Sequence, residues 1–278
     1  MRTLLRTLGV GRFLYNHVLC PAQLIHMLLR DTDEDVRRIQ LLHIGKHRGR
    51  RLAGTPAAQM HSHLWGTCEL IEIARETLPP ASPVWDIGAH TGTWSVLARS
   101  LLPASPVVCV EPLPEHTAHI RALSERLQPF TLIEAAVGAA PGTHTLHRTN
   151  RSDSSSLLPP SDIARRNFQV QETDRLTVPV TTLDAILEQT GRPPGLIKLD
   201  VQGYELEALK GGPRTLAQTR YIIAEVSFQE LYRGQPLAGE VIAWLHQRQF
   251  APVAFGAEIE GGQRLLQTDI LFQNTALA

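Results

Sequence analysis

The stretch Val84-Trp85-Asp86-Ile87-Gly88-Ala89-His90-Thr91-Gly92 constrains this chain more than any other part of it. A short apolar run enters a turn with two glycines, and Trp94, Val96, Leu97 and Leu101 then follow at helical spacing. A strand running through a glycine-bent turn into a helix is the building unit of a parallel sheet covered by helices. Its turn aims backbone N–H groups at whatever sits beyond the strand end. A second apolar run, Val107-Val108-Cys109-Val110, ends in Glu111, nineteen residues past Gly92. That distance suits a carboxylate that accepts hydrogen bonds from ribose hydroxyls.

The same residues discriminate between ligands. A dinucleotide site would read G-x-G-x-x-G, its middle glycine admitting a pyrophosphate. Here the pattern is G-x-x-x-G, and Asp86, two residues before it, would repel a pyrophosphate but suits an ammonium group. S-adenosylmethionine carries an ammonium beside a carboxylate. The expected contacts are Asp86 at its amino acid end, the turn of Gly88, His90 and Gly92 around it, and Glu111 with Pro112 at the ribose. Ala135 and Ala136 end a later strand and leave room for an adenine. An ordinary turn whose glycines serve close helix packing is the structural alternative.

A second block, Gly195-Leu196-Ile197-Lys198-Leu199-Asp200-Val201-Gln202-Gly203-Tyr204-Glu205, reads as a buried strand, a turn and a short helix with three charges around the turn. In an open parallel sheet, ligands bind beyond the carboxyl ends of the strands, so the two blocks are expected to meet in space.

The ordered blocks DIGAHTG, VEPLPEH, EAAVG, SSSLL, VPVTTLDAIL, IKLDVQGYELEALKGG, AEVSF and DILFQN cover roughly Gly66 to Asn274. Through them the chain resembles the FkbM family of S-adenosylmethionine-dependent methyltransferases. His90 stands where the family usually has Asn, and Gln202 where many members have Glu. The resemblance implies an α/β fold: a Rossmann-like class I methyltransferase doubly wound sheet with an antiparallel edge strand. It also implies that the serine segment, Ser155 included, approaches cofactor or substrate.

At 278 residues with 43% hydrophobic content, the chain is long enough for one large α/β domain over 66–278 and an N-terminal helical extension over 1–65. Twenty-seven basic and twenty-seven acidic residues cancel, so no overall field draws the chain to nucleic acid. Cys20, Cys68 and Cys109 are odd in number and lack a C-x-x-C pair, which argues for reduced thiols and a cytoplasmic address. No run of eighteen apolar residues offers a transmembrane helix. Met1 to Arg30 and Asp31 to Leu42 read as helices; the basic run Lys46 to Arg51 reads as a solvated connection, with an anion clamp as its sharper alternative.

Further along, the spacing predicts a helix over Glu115 to Leu127, a strand over Phe130 to Val137 and another over Thr143 to His147. Asn150 to Asn167 reads as a long irregular lid, and Thr181 with Asp184 as a capping box. The final strand, Asp269 to Phe272, is expected to close the sheet.

Methyl transfer from a sulfonium is an in-line displacement, and a hydroxyl nucleophile benefits from a base or a metal near its oxygen. Asp200, Lys198, Glu225 and Glu205 are the catalytic candidates. Asp200 leads because it ends a strand, whereas Glu205 opens a helix. Asp200 and Glu225 form a candidate Mg2+ pair. A structural Lys198–Asp200 ion pair is the plainer alternative. The expected partner is a small-molecule hydroxyl acceptor, a sugar or natural-product intermediate; a homo-oligomer stays open. An N-methyltransferase and a catalytically idle cofactor-binding subunit are the other readings, while Asp86 disfavours a nicotinamide dehydrogenase.

Overall fold

The computed structural model describes Thr55, residues 65–261 and residues 264–277. Apart from Thr55 these belong to the unit Gln59–Ala278. The expected extension over 1–65 therefore lies outside the described residues, save for Thr55 and the start of the first helix.

That helix, α1 (Trp65–Arg75), precedes β1 (Val84–Ile87), α2 (Thr93–Leu101), β2 (Val107–Val110), α3 (Pro114–Ala122), α4 (Ser124–Leu127) and β3 (Phe130–Ile133). Then come β4 (Ala136–Val137), β5 (Gly142–Thr149), α5 (Asp162–Phe168), β6 (Glu172–Thr181), α6 (Leu183–Thr190) and β7 (Leu196–Leu199). The chain ends with α7 (Glu205–Lys210), α8 (Pro213–Leu216), β8 (Tyr221–Ser227), α9 (Ala238–His246), β9 (Phe250–Gly261) and β10 (Arg264–Asn274).

Among the described residues these strands make a seven-stranded sheet in the order β3-β2-β1-β7-β8-β10-β9 and a three-stranded sheet in the order β4-β6-β5. β1 pairs in parallel with β2 on one side and β7 on the other. Chain order reverses between those two neighbours, which opens a crevice above β1. β1, β2 and β7 are buried at every position, by apolar side chains except at Asp86 and Lys198. Trp85, Ile87, Val108, Val110, Ile197, Leu199, Ile222 and Phe272 share one core. α2 buries Trp94, Val96, Leu97, Ala98 and Leu101, the stripe its spacing predicts.

Several expectations are corrected. The final strand is antiparallel to β8 but does not lie at the edge; β10 inserts between β8 and β9, so β9 is outermost. The helix over Glu115 to Leu127 breaks at Leu123, whose N–H is shared between the carbonyls of His119 and Ile120. The strand over Phe130 to Val137 divides because Glu134 is tied to Thr117 and Arg121, and the chain then enters the second sheet. The supposed irregular lid holds a 3-10 turn at Ser152–Ser154 and α5, whose Ser161 cap accepts from the N–H groups of Ile163 and Ala164. The cap of α6 is Thr182, not Thr181; Asp184 instead accepts from the Arg214 and Thr215 N–H groups at the start of α8. No helix among the described residues is long and apolar enough to cross a membrane.

Candidate active site

A cavity of about 690 Å3 opens above the carboxyl ends of β1, β2, β7 and β8, a size in the range of ~300–1,000 Å3 typical of small-molecule sites. Its floor exists because two turns touch. Gly88 has φ 81°, and a Cβ there would lie 1.9 Å from the carbonyl oxygen of Asp200. The N–H groups of Gly88 and Ala89 both bond to the Val110 carbonyl, at 2.9 and 3.0 Å, and the Asp200 N–H bonds to Ile87 at 3.0 Å.

Asp86 lies beneath the first turn, and its Oδ2 accepts from Ser95 Oγ at 2.6 Å. Burial pushes its pKa up to about 7, against the Ser95 hydrogen bond and the Lys198 charge, which pull it down. Glu111 is buried and held by its own loop. Its Oε2 accepts from the His90 N–H at 2.9 Å, and its Oε1 accepts from the Leu113 N–H at 3.0 Å and from His116 Nδ1 at 3.1 Å. A carboxylate has about four acceptor directions, so roughly one remains, on Oε2, for a ligand hydroxyl. The His90 ring packs edge-on against His116, and its Nε2 lies 3.0 Å from Ser152 Oγ. Burial, then His116, lowers the His90 pKa, which keeps that imidazole neutral.

Pro112, Ala135, Ala136 and Ser155 line the cavity as expected. Ser155 Oγ also accepts from the Thr149 N–H at 3.2 Å. Gly92 does not line it; it turns the chain behind the wall at φ 78°, where a Cβ would press on Ile120 and Leu123.

At the other end of the cavity four charged side chains converge. Lys198, only 4% exposed, reaches Asp200 Oδ2 and Asp269 Oδ1, each at 3.2 Å. Burial opposes its charge, but Asp200, Asp269 and Glu225 outweigh burial and raise its pKa, so it stays an ammonium. Glu225 accepts from Gln267 Nε2 at 2.5 Å and from Gln202 Nε2 at 3.1 Å; burial and then Asp200 raise its pKa. The Asp200 side chain is 33% exposed against 18% for Asp269, making it the more open of the two carboxylates on Lys198.

One expectation fails here. Glu205 does not line the cavity: its Oε1 accepts from the N–H groups of Val201 and Gly203, both at 3.1 Å, and so ties its own turn together. The Mg2+ pair finds no support: no group of three or more His, Cys, Asp or Glu suited to a metal occurs among the described residues. Gln202 Nε2 bridges Asp200 and Glu225, and Lys198 supplies the positive charge beside them. Asp269 carried no sequence-based role. Its signal was a lone carboxylate in an apolar strand, and the structure sets it opposite Glu225, with Thr67 Oγ1 donating to its Oδ2 at 2.6 Å. Tyr232 and Gln267 were likewise not singled out.

The family model for the methyltransferase FkbM domain matches residues 86–252. The chain belongs to the FkbM methyltransferase family. This family member is 29% identical over 206 residues to 2-O-methyltransferase NoeI of Sinorhizobium fredii, an alignment covering 71% of this chain and 82% of that protein. It is 27% identical over 167 residues to hexuronic acid methyltransferase AglP of Haloferax volcanii, covering 59% and 63% respectively. The methyl donor is S-adenosylmethionine. The FkbM cavity fits it: α2 opens without a side-chain cap, Trp94 Nε1 in the wall has no partner, and the carboxyl groups of Asp86 and Glu111 line the same space.

Proposed function

We propose that this FkbM methyltransferase transfers the methyl group to a hydroxyl of a sugar, with Asp200 as the base. The observation that carries the reading is the packing of the Asp200 turn against Gly88, which sets the more accessible of the two carboxylates on Lys198 beside the first turn. The names of the two curated relatives support the acceptor: hexuronic acid for one speaks for a sugar, and the 2-O position of the other for a hydroxyl.

S-adenosylmethionine, when bound, supplies a methyl group made electrophilic by its sulfonium. Asp86 faces the ammonium, Glu111 takes a ribose hydroxyl, and Ala135 and Ala136 leave a slot for the adenine. Asp200 accepts the proton of the acceptor hydroxyl as its oxygen is methylated. Lys198 fixes one of the Asp200 oxygens, while Asp200, Asp269 and Glu225 keep Lys198 charged. A positioned base contributes about 10^2 to 10^4 in rate. The surrounding carboxylates also disfavour an acceptor whose reacting group is itself an anion.

The test incubates the protein with methyl-labelled S-adenosylmethionine and a panel of neutral glycosides and uronides. Label that survives mild alkali marks an ether and supports a hydroxyl acceptor. Alkali-labile label marks a methyl ester and rejects it.

A further inference from the structure

Gln202 has φ 56°, a left-handed conformation unfavourable for a non-glycine residue. Strain of this kind persists where the surroundings fix the residue, and Gln202 is fixed from four sides. Its Nε2 donates to Asp200 Oδ1 at 2.7 Å and to Glu225 Oε2 at 3.1 Å. Its Oε1 accepts from the Tyr232 hydroxyl at 2.6 Å, and its backbone carbonyl accepts from Ser156 Oγ at 2.7 Å. Chemistry sets the amide orientation: the reverse would press a carbonyl oxygen onto two carboxylates.

Tyr232 is 4% exposed, and burial raises the pKa of its phenol, so it remains a donor. Its single proton faces two acceptors, Gln202 Oε1 and, at 3.0 Å, the carbonyl of Ser154. Ser154 belongs to a strap in which alternate residues hold different parts of the site. Ser152 meets His90 on the cofactor turn, Ser154 meets Tyr232, and Ser156 meets Gln202 on the acceptor turn.

We infer that Gln202 and Tyr232 are positioning residues for methyl transfer: the Gln202 amide holds Asp200 and Glu225 side by side, and Tyr232 holds that amide and ties it to the Ser152–Ser156 strap. The inference rests on the reading of Asp200 as the base. Without the amide, Asp200 keeps only its Lys198 contact and faces the Glu225 carboxyl group directly. Without the Tyr232 hydroxyl, the amide is free to rotate and the strap loses its link to the base.

The test compares wild type with Tyr232→Phe, which keeps the ring and removes the hydroxyl. The side-chain N–H signals of Gln202 are followed by NMR in protein saturated with S-adenosylhomocysteine. Steady-state methyl transfer is measured on the glycoside that wild type methylates, with and without Asp200→Asn. Tyr232→Phe is expected to shift the Gln202 signals and speed their solvent exchange, to lower kcat about tenfold, and to leave the KM for S-adenosylmethionine within about twofold. In the Asp200→Asn background the same change is expected to cost less than about twofold, because the two residues act through one group. Unmoved Gln202 signals overturn the inference. So does an equal kcat loss in both backgrounds, the mark of a merely structural contribution. Full activity of Asp200→Asn removes the base and the inference with it, and the single variant reveals that failure separately.

Discussion

Gly88 and Asp200 lie against each other so closely that the Asp200 carbonyl occupies the space a Cβ at position 88 would need. The contact joins the turn after β1 to the turn after β7, and the cavity owes its floor to it. A methyl group at Gly88 has to displace backbone and also adopt a φ of 81°. Gly88→Ala is therefore expected to destabilise the protein by about 2–4 kcal/mol and to weaken S-adenosylmethionine binding, read by urea unfolding and calorimetry.

Glu111 separates cofactor binding from chemistry. Its carboxylate fixes the His90 and Leu113 N–H groups, and in the proposed site it also offers an acceptor to the ribose. Glu111→Ala is expected to weaken S-adenosylmethionine binding by about 1–3 kcal/mol in calorimetry, with NADH failing to compete against the wild type. Unchanged affinity would remove Glu111 from the cofactor site.

Asp200→Asn keeps the side-chain shape and removes the base. The expected result is a fall of about 10^2 to 10^4 in turnover, with the Kd for S-adenosylmethionine within about twofold of wild type. Since Lys198 then loses one of its two carboxylate partners, some loss of stability accompanies the change, and an unfolding curve separates the two effects.

Asp86 makes stability depend on pH. Burial raises its folded pKa to about 7 from an unfolded value near 3.9, so the folded state holds its proton more tightly than the unfolded state does. This contribution is fully present below about pH 4 and is lost as pH rises through about 7. Glu205, raised by burial to about 7, acts with the same sign in the same window. Relative to wild type, Asp86→Asn is expected to gain about 2–4 kcal/mol of unfolding free energy between pH 4 and pH 7.5. A constant difference across that range would show that Asp86 titrates normally.

In the proposed site S-adenosylmethionine brings an ammonium toward the same carboxylate. A nearby cation lowers a carboxyl pKa, so binding at pH 7 is expected to release a fraction of a proton from Asp86. Calorimetry in two buffers of different ionisation enthalpy measures that release. An equal release in Asp86→Asn would place its source elsewhere.

Elements with a local cause were legible in the chain. The apolar residues of β1, β2 and β7 are buried on both faces, as a strand inside a covered parallel sheet requires. The glycine pattern after Asp86 pointed to the turn that borders the cavity, and Glu111 reaches the same cavity because its distance along the chain is set by one strand and one helix. Asp200 could be placed beside that turn because parallel strands deliver their carboxyl ends to one edge.

Tertiary structure decided what the charges do to one another. Asp269 joins the site because β10 pairs with β8 and puts it opposite Glu225, a contact made across a long stretch of sequence. The sequence offered Glu205 and Asp200 as carboxylates of one turn, yet Glu205 folds back onto two N–H groups and Asp200 opens to the cavity. Asp200 and Glu225 read as a candidate metal pair in the sequence; in the fold an amide bridges them and a buried ammonium lies alongside. Residue types and spacings set which groups are available, but a carboxylate's partners depend on which distant strand and turn pack against it, and only the folded chain supplies those distances.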